Sequence, residues 1–266
     1  MVAYQLVFLV TLSLLLGLAS AQDLQTVLQK AYDIKCDSKQ KLKASDCLRA
    51  IAKFKYTSSK ELDREAVEIQ KAFGNCVVTM YNINRDPMNQ AVLEGSFKKI
   101  LDKCKDSAGS APLPGSPDGN AYYQHRPLRF TTRPRGIHII PVEEDYPNLK
   151  PLCFPSPKIL SSDCQNAYNN IPINHQTGTF LWSNDYAYVA PLSESINKTC
   201  QAVIYTTDGS VLTIKKGKTT DGLFKQLIDA CKDKPGIIYT SEGAKGLNGR
   251  VGIYVQRPQH KQKKKQ

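Results

Sequence analysis

Eight cysteines in two sets of four constrain this chain of 266 residues more than any other feature. Successive cysteines are 11, 29 and 28 residues apart in the first set, and 11, 36 and 31 residues apart in the second. The sets comprise Cys36, Cys47, Cys76 and Cys104, followed by Cys153, Cys164, Cys200 and Cys231. This spacing indicates that one four-cysteine unit occurs twice.

Residues beside the cysteines repeat as well. Ser45-Asp46-Cys47 matches Ser162-Asp163-Cys164 at the second cysteine, and Cys104-Lys105-Asp106 matches Cys231-Lys232-Asp233 at the fourth. Two copies with a period above 100 residues are too few and too long for a solenoid. We therefore predict two homologous globular domains.

The ends of the chain and a repeated closing motif define the predicted segments. Residues 1–21 carry no charge, contain an apolar run and end in small residues, which is typical of a secretory signal peptide. A Tyr-x-x-Arg-Pro motif occurs at 123–127 and again at 254–258. We predict a signal peptide at 1–21, a first repeat at 22–127, a linker at 128–150, a second repeat at 151–258 and a basic disordered tail at 259–266.

Each repeat is predicted to run helix, hairpin, helix, strand, strand. Ser162 and Gln165 have the pattern of a capping box, which indicates a helix start. Segments 202–207 and 211–214 flank the turn signal Asp208-Gly209, which favours a hairpin.

Apolar residues at helical spacing over 223–231 predict the second helix, and 236–240 and 250–256 have strand composition. In the first repeat, 107–120 is rich in Pro, Gly and Ser, so we predict a loop there. The predicted fold class is α+β: two tandem small α/β sandwiches, ferredoxin-like or related, each with four cysteines in disulfides.

Disulfides are the favoured use of the cysteines, because their number is even and the chain has a secretory signal. Four cysteines allow three pairings within a repeat, and the sequence does not choose between them. We predict pairing inside each repeat, with pairing between repeats as the alternative.

The sequence predicts no catalytic residue, metal site or cofactor. Asp46 and Asp163 lie at predicted helix starts, where a carboxylate interacts favourably with the helix dipole. Asn197 begins an Asn-Lys-Thr sequon and is the candidate glycosylation site. The histidines share no spacing typical of a metal site or an acid–base pair; they are His125, His138, His175 and His260.

Positive charge is concentrated at the end of the chain. The net charge is +12, and four lysines within the last eight residues supply a third of it: Lys261, Lys263, Lys264 and Lys265. This tail is predicted to contact an anionic cell-wall polymer, a membrane or nucleic acid, or to be a nuclear-import signal after uptake by host cells; the alternative is a solvated, solubilising segment.

The chain resembles cysteine-rich secreted effectors of plant-associated fungi, rust fungi included. The features that carry this resemblance are the signal peptide, the Ser-Asp-Cys helix starts, the strands opened by Cys76 and Cys200, and the glycine-rich closing turn. The layout is also similar to fungal killer-toxin-like and necrosis-inducing α/β-sandwich proteins. The resemblance implies a secreted, monomeric effector or toxin-like protein that acts without catalysis, either extracellularly or after uptake by host cells.

The expected target is a host or competitor protein or an anionic cell-surface polymer, and no small-molecule substrate is predicted. The alternative function is inhibition of host proteases, with the segment 241–249 as a loop that enters the protease cleft. The remaining hypothesis is a hydrolase or ribonuclease with His125 or His175 as its catalytic residue.

Overall fold

The computed structural model of the chain describes residues 34–113, 128–134, 146–155, 157–182, 185–189 and 191–258. The predicted signal peptide, the basic tail and the Tyr-x-x-Arg-Pro copy at 123–127 lie outside these residues. The described residues from Lys35 onward belong to one compact unit, which contains both repeats. No helix among the described residues combines the length and apolar character needed to cross a membrane.

The first domain is one antiparallel sheet with two helices packed on one of its faces. Its elements are β1 (Lys35–Lys41), α1 (Ala44–Ile51), β2 (Glu68–Phe73), β3 (Cys76–Tyr81), α2 (Gln90–Cys104), β4 (Ser107–Leu113) and β5 (Leu128–Arg133). The strand order is β1-β4-β5-β3-β2.

The second domain repeats this arrangement and adds a two-stranded sheet. Its elements are β6 (Leu152–Cys153), α3 (Ser161–Asn169), β7 (Leu181–Trp182), β8 (Asp185–Val189), β9 (Leu192–Asn197), β10 (Cys200–Thr206), α4 (Lys218–Cys231), β11 (Gly236–Thr240) and β12 (Val251–Gln256). The main sheet has the order β6-β11-β12-β10-β9, and β7 pairs with β8.

Position by position, the two five-stranded sheets have the same order, so the predicted pair of tandem α+β sandwiches is confirmed. Every neighbouring pair of strands is antiparallel. The sheets are therefore not ferredoxin-like, because the split βαβ arrangement of that fold makes a pair of strands parallel. Of the two predicted possibilities, ferredoxin-like or a related α/β sandwich, the structure shows the second.

Each core lies between the helices and the sheet face that they cover. In the first domain, Phe97 of α2 meets Phe130 of β5 edge to face, with ring centroids 5.1 Å apart. In the second, Tyr168 of α3 stacks on Phe224 of α4 at 4.0 Å. All four side chains are buried.

Nested disulfides fasten the helices to the sheets, and all eight cysteines are paired within their own domain. The first cysteine of each domain joins the fourth, and the second joins the third: Cys36–Cys104, Cys47–Cys76, Cys153–Cys231 and Cys164–Cys200. One bridge therefore ties the second helix to an edge strand, and the other ties the first helix to an inner strand.

The repeated aspartate before the second cysteine reinforces the inner bridge. Asp46 lies in the first turn of α1, as predicted, and its carboxylate accepts the Asn75 N–H at 2.9 Å. Asp163 lies in the first turn of α3 and accepts the Thr199 hydroxyl at 2.7 Å and its N–H at 3.2 Å. In both domains the donor directly precedes the third cysteine, so the carboxylate and the disulfide hold the same two elements together.

Two boundary predictions in the first domain are wrong. Residues 107–113 form strand β4 rather than a loop, and 128–133 form β5 rather than the start of the linker. The glycine of β4, which contributed to the loop prediction, is required by packing: a Cβ at Gly109 would lie 2.7 Å from Cys104 Sγ. The equivalent Gly236 would meet Cys231 Sγ at 2.5 Å, so the outer bridge of each domain requires a glycine in the strand beside it.

Two predictions in the second domain also fail. The segment 211–214 does not pair with β10, whose neighbours are β9 and β12; the hairpin precedes β10 instead of following it. The predicted capping box is absent as well, because the N-cap of α3 is Leu160, which leaves Ser162 inside the helix.

Candidate binding site

An open groove of about 390 Å³ lies on the face of the first sheet opposite the helices. Strands β1, β4, β5 and β3 contribute polar and charged side chains to it. Among the lining residues are Lys35, Asp37, Tyr81, Ser110, Arg129 and Arg133. The groove is therefore bounded by cations, hydroxyls and a carboxylate.

Strand β5 places its two arginines on the groove face through the alternation of a β-strand. Phe130 points into the helix-covered core, so its neighbours Arg129 and Thr131, and Arg133 further on, point to the other face. Thr131 is paired with Ser110 of β4, which in turn is paired with Lys35 of β1. One row of side chains thus crosses three strands between the two arginines.

Burial and mutual charge shift the pKa values of three groups at the β3 side of the groove. Burial lowers the pKa of Arg133, although Tyr81 and Glu68 oppose that shift. Burial raises the pKa of Glu68, and Arg133 partly offsets it. Burial, followed by the charge of Glu68, raises the pKa of Tyr81, whereas Arg129 and Arg133 act in the other direction. These groups therefore form one electrostatically coupled cluster.

The same face of the second domain has different chemistry. Gly252 is paired with Tyr205 in the second sheet, and Arg129 is paired with Tyr81 in the first, so Gly252 is the counterpart of Arg129. Gln256 is the counterpart of Arg133. Gln256 donates to the Gln201 side chain at 2.9 Å. The duplicated sheet thus carries paired arginines in one copy and a glycine with a bonded amide in the other.

Part of the predicted protease-binding loop, residues 241–249, bonds to the first domain. Asn248 is only 3% exposed, and its side chain pairs with the Lys55 backbone: Oδ1 accepts the N–H at 2.9 Å, and Nδ2 donates to the carbonyl at 2.8 Å. Leu247 N donates to Asp63 Oδ2 at 3.0 Å, and Lys245 forms a 2.8 Å ion pair with Glu65.

Asp208 is the second interdomain contact. Its carbonyl accepts the N–H groups of Val67 and Glu68 at 2.8 and 3.2 Å. Its buried carboxylate accepts the Ser210 hydroxyl at 2.6 Å through Oδ1, while Oδ2 has no hydrogen-bond partner among the described residues. Burial raises the pKa of Asp208; Ser210 opposes that shift, and Asp63 adds to it.

The residues singled out in the sequence do not assemble into a reactive centre within the described part of the chain. His175 is exposed in a turn, and His125, His138 and His260 lie outside the described residues. No group of three or more His, Cys, Asp or Glu side chains there could hold a metal ion. Asn197 ends β9, and its sequon partner Thr199 bonds to Asp163, so the sequon is part of a structured turn.

Sequence reasoning missed the two arginines because they fall in the predicted linker. The segment 128–133 combines an aromatic residue with two threonines, which favour strands. That composition was the available signal for β5. Its function as a groove-lining strand depends on pairing with β3 and β4, and no local pattern carries that information.

The fold and the groove define a disulfide-rich, two-domain chain of the extracellular type, since disulfides persist in oxidising compartments. No protein-family model matches the chain, and no curated protein does. Among solved structures it is similar to the tandem DUF26 ectodomain of the Arabidopsis thaliana cysteine-rich receptor-like protein PDLP8. The identity is 10%, the TM-score 0.27, and the match covers 85% of this chain and 97% of that one. A likeness this weak carries no inference about function.

Proposed function

We propose that this protein is an extracellular binding protein that acts without catalysis, and that the groove of the first domain is its binding site. The observation that supports this proposal is the difference in side chains between the equivalent sheet faces of the two domains. Both copies keep the nested disulfides, yet only the first carries Arg129 and Arg133 on the exposed face. Structural demands of the fold alone do not call for these arginines, because the second copy folds without them.

The narrower form of the proposal is an effector or toxin-like protein of a plant-associated fungus. Its support is the resemblance in the cysteine motifs, and its targets would be a host or competitor protein or an anionic cell-surface polymer. Inhibition of proteases has no comparable support, because Leu247 and Asn248 of the proposed inhibitory loop bond to the first domain.

Binding to intact cells and isolated cell walls tests the proposal. Labelled wild-type protein is compared with Arg129→Glu/Arg133→Glu and with the control Lys158→Glu/Lys225→Glu, which makes the same change in net charge at two exposed lysines. We expect the groove variant to lose at least about tenfold in retention, since each lost charge-assisted bond costs about 1.5–3 kcal/mol before solvent screening and about 1.4 kcal/mol already corresponds to tenfold, while the control stays near wild type. Equal retention of all three proteins would refute the assignment of the groove, and turnover of a wall component by purified protein would refute action without catalysis.

A further inference from the structure

The charge layout of the groove identifies a ligand class, an inference that rests on the proposed function. We infer that the groove binds an acidic polysaccharide, in which anionic groups are separated by uncharged hydroxyl-bearing units. The relevant chemistry is shared by carboxylated and sulfated polymers.

The cationic residues are spaced along β5 and across the sheet. Arg129 and Arg133 are four positions apart on β5, so their Cα atoms are about 13 Å apart at roughly 3.3 Å per residue. Lys35 lies two strands from Thr131, or about 10 Å at the usual strand spacing. A polymer with anions at intervals of this order could contact all three cations together.

Between the cations lie groups that suit hydroxyls. Thr131 and Ser110 are half-buried on the groove face and can each donate and accept a hydrogen bond. Carboxylates accompany them: Asp37 lines the groove and accepts the Lys39 N–H at 3.0 Å, and Glu68 lies beside the groove on β2, opposite Tyr81 of β3. Carboxylates accept hydrogen bonds from sugar hydroxyls and repel closely spaced anions.

Charge density separates this ligand from nucleic acid. Duplex DNA carries one negative charge per about 1.7 Å of axis, and proteins meet it with surfaces that are strongly positive. The groove lining holds three cations and one carboxylate, and Glu68 lies beside it on β2, so the positive excess is small. A sparsely charged polymer rich in hydroxyls therefore fits it better.

The test measures binding of full-length protein to polygalacturonate by calorimetry. Fully methyl-esterified polygalacturonate, which has the same backbone without charge, is the matched ligand control, and dextran sulfate and single-stranded RNA are compared at the same salt concentration. We expect polygalacturonate or dextran sulfate to bind and the esterified polymer to bind about tenfold more weakly or not at all. The stronger of the two anionic polysaccharides identifies the preferred anion.

Variants locate the binding. Arg129→Gln/Arg133→Gln should weaken binding about tenfold, Thr131→Val severalfold without any change in charge, and Lys158→Gln/Lys225→Gln hardly at all. The tail 259–266 is present in every protein, so its contribution is constant. Tighter binding of RNA, or equal binding of the esterified polymer, would overturn the ligand class. The two proposals can fail separately. If no polysaccharide binds but the Arg129→Glu/Arg133→Glu variant still loses retention on cells, the ligand class is wrong and the proposed function stands. If that variant is retained on cells like wild type, the proposed function is wrong.

Discussion

Asn248 offers the sharpest test of the contact between the domains. Its buried side chain donates one hydrogen bond to the Lys55 backbone and accepts another from it, and its own carbonyl accepts from Lys71 Nζ at 3.3 Å. Substitution Asn248→Ala removes both side-chain bonds and leaves the backbone carbonyl in place. The change therefore isolates the amide bridge between the domains.

The expected cost follows from those two bonds. Each is worth about 1 kcal/mol net, and the freed groups of Lys55 belong to an exposed residue, so water can solvate them. We expect a loss of about 2 kcal/mol in unfolding free energy, rather than the larger penalty of two buried orphans. For a chain of this size the loss corresponds to a drop of about 4–8 °C in melting temperature.

Urea unfolding, followed by circular dichroism and by the fluorescence of the single tryptophan, Trp182, measures the effect. Wild type should show coincident transitions, because the domains are coupled. In Asn248→Ala the transitions should separate, since the tryptophan reports on the second domain alone.

Asn174→Ala is the matched control. The Asn174 side chain also bonds to two backbone groups, the N–H groups of Gln176 and Thr177 at 2.9 and 3.1 Å, but within one exposed turn of its own domain. It should lower stability by less than Asn248→Ala and keep the transitions coincident. If Asn248→Ala matches wild type, or if the control separates the transitions as well, the reasoning about the bridge is wrong.

Acidic pH should act in opposite directions on two buried carboxylates. The raised pKa of Asp208 means that the native state gains stability as the pH falls from neutral through that pKa, and Asp208→Asn should abolish this gain in urea midpoints. Hydrogen bonds from Thr199 lower the pKa of Asp163, so the stability that the Asp163 carboxylate contributes is full above the usual pKa of 3.8 and is lost on further acidification. Asp163→Asn should flatten this loss. An unchanged dependence of the urea midpoint on pH in either variant would contradict the assignment. At the sequon, Asn197→Gln and Thr199→Ala should both remove any glycan mass, but only Thr199→Ala should also destabilise the fold, by about 1 kcal/mol; equal stability of the two would show that the Thr199 bond is immaterial.

The cysteine pattern was sufficient to predict two domains of one fold, because a repeated set of bridges demands repeated elements around it. It could not predict β4, since the glycine required beside the Cys36–Cys104 bridge looks like a loop signal in isolation. The turn at Asp208-Gly209 is real, with Gly209 at φ +70°. Its partner, however, is the first domain, because the Asp208 carbonyl accepts from Val67 and Glu68. Such pairing over long sequence distances has no local signature.

The bridge between Lys55 and Asn248 also has a consequence for biogenesis. The two residues are 193 positions apart, and a ribosome that adds about 5–20 residues per second takes about 10–40 s to cover that distance. For the part of this interval between the synthesis of Cys104 and that of Asp208, about 5–20 s at the same rate, the nascent first domain has all four of its cysteines but not the Asp208 carbonyl that covers the start of β2, an edge strand. Uncovered edges invite pairing with other chains. We therefore expect the first domain to be prone to pairing with other chains until the second half of the polypeptide is present.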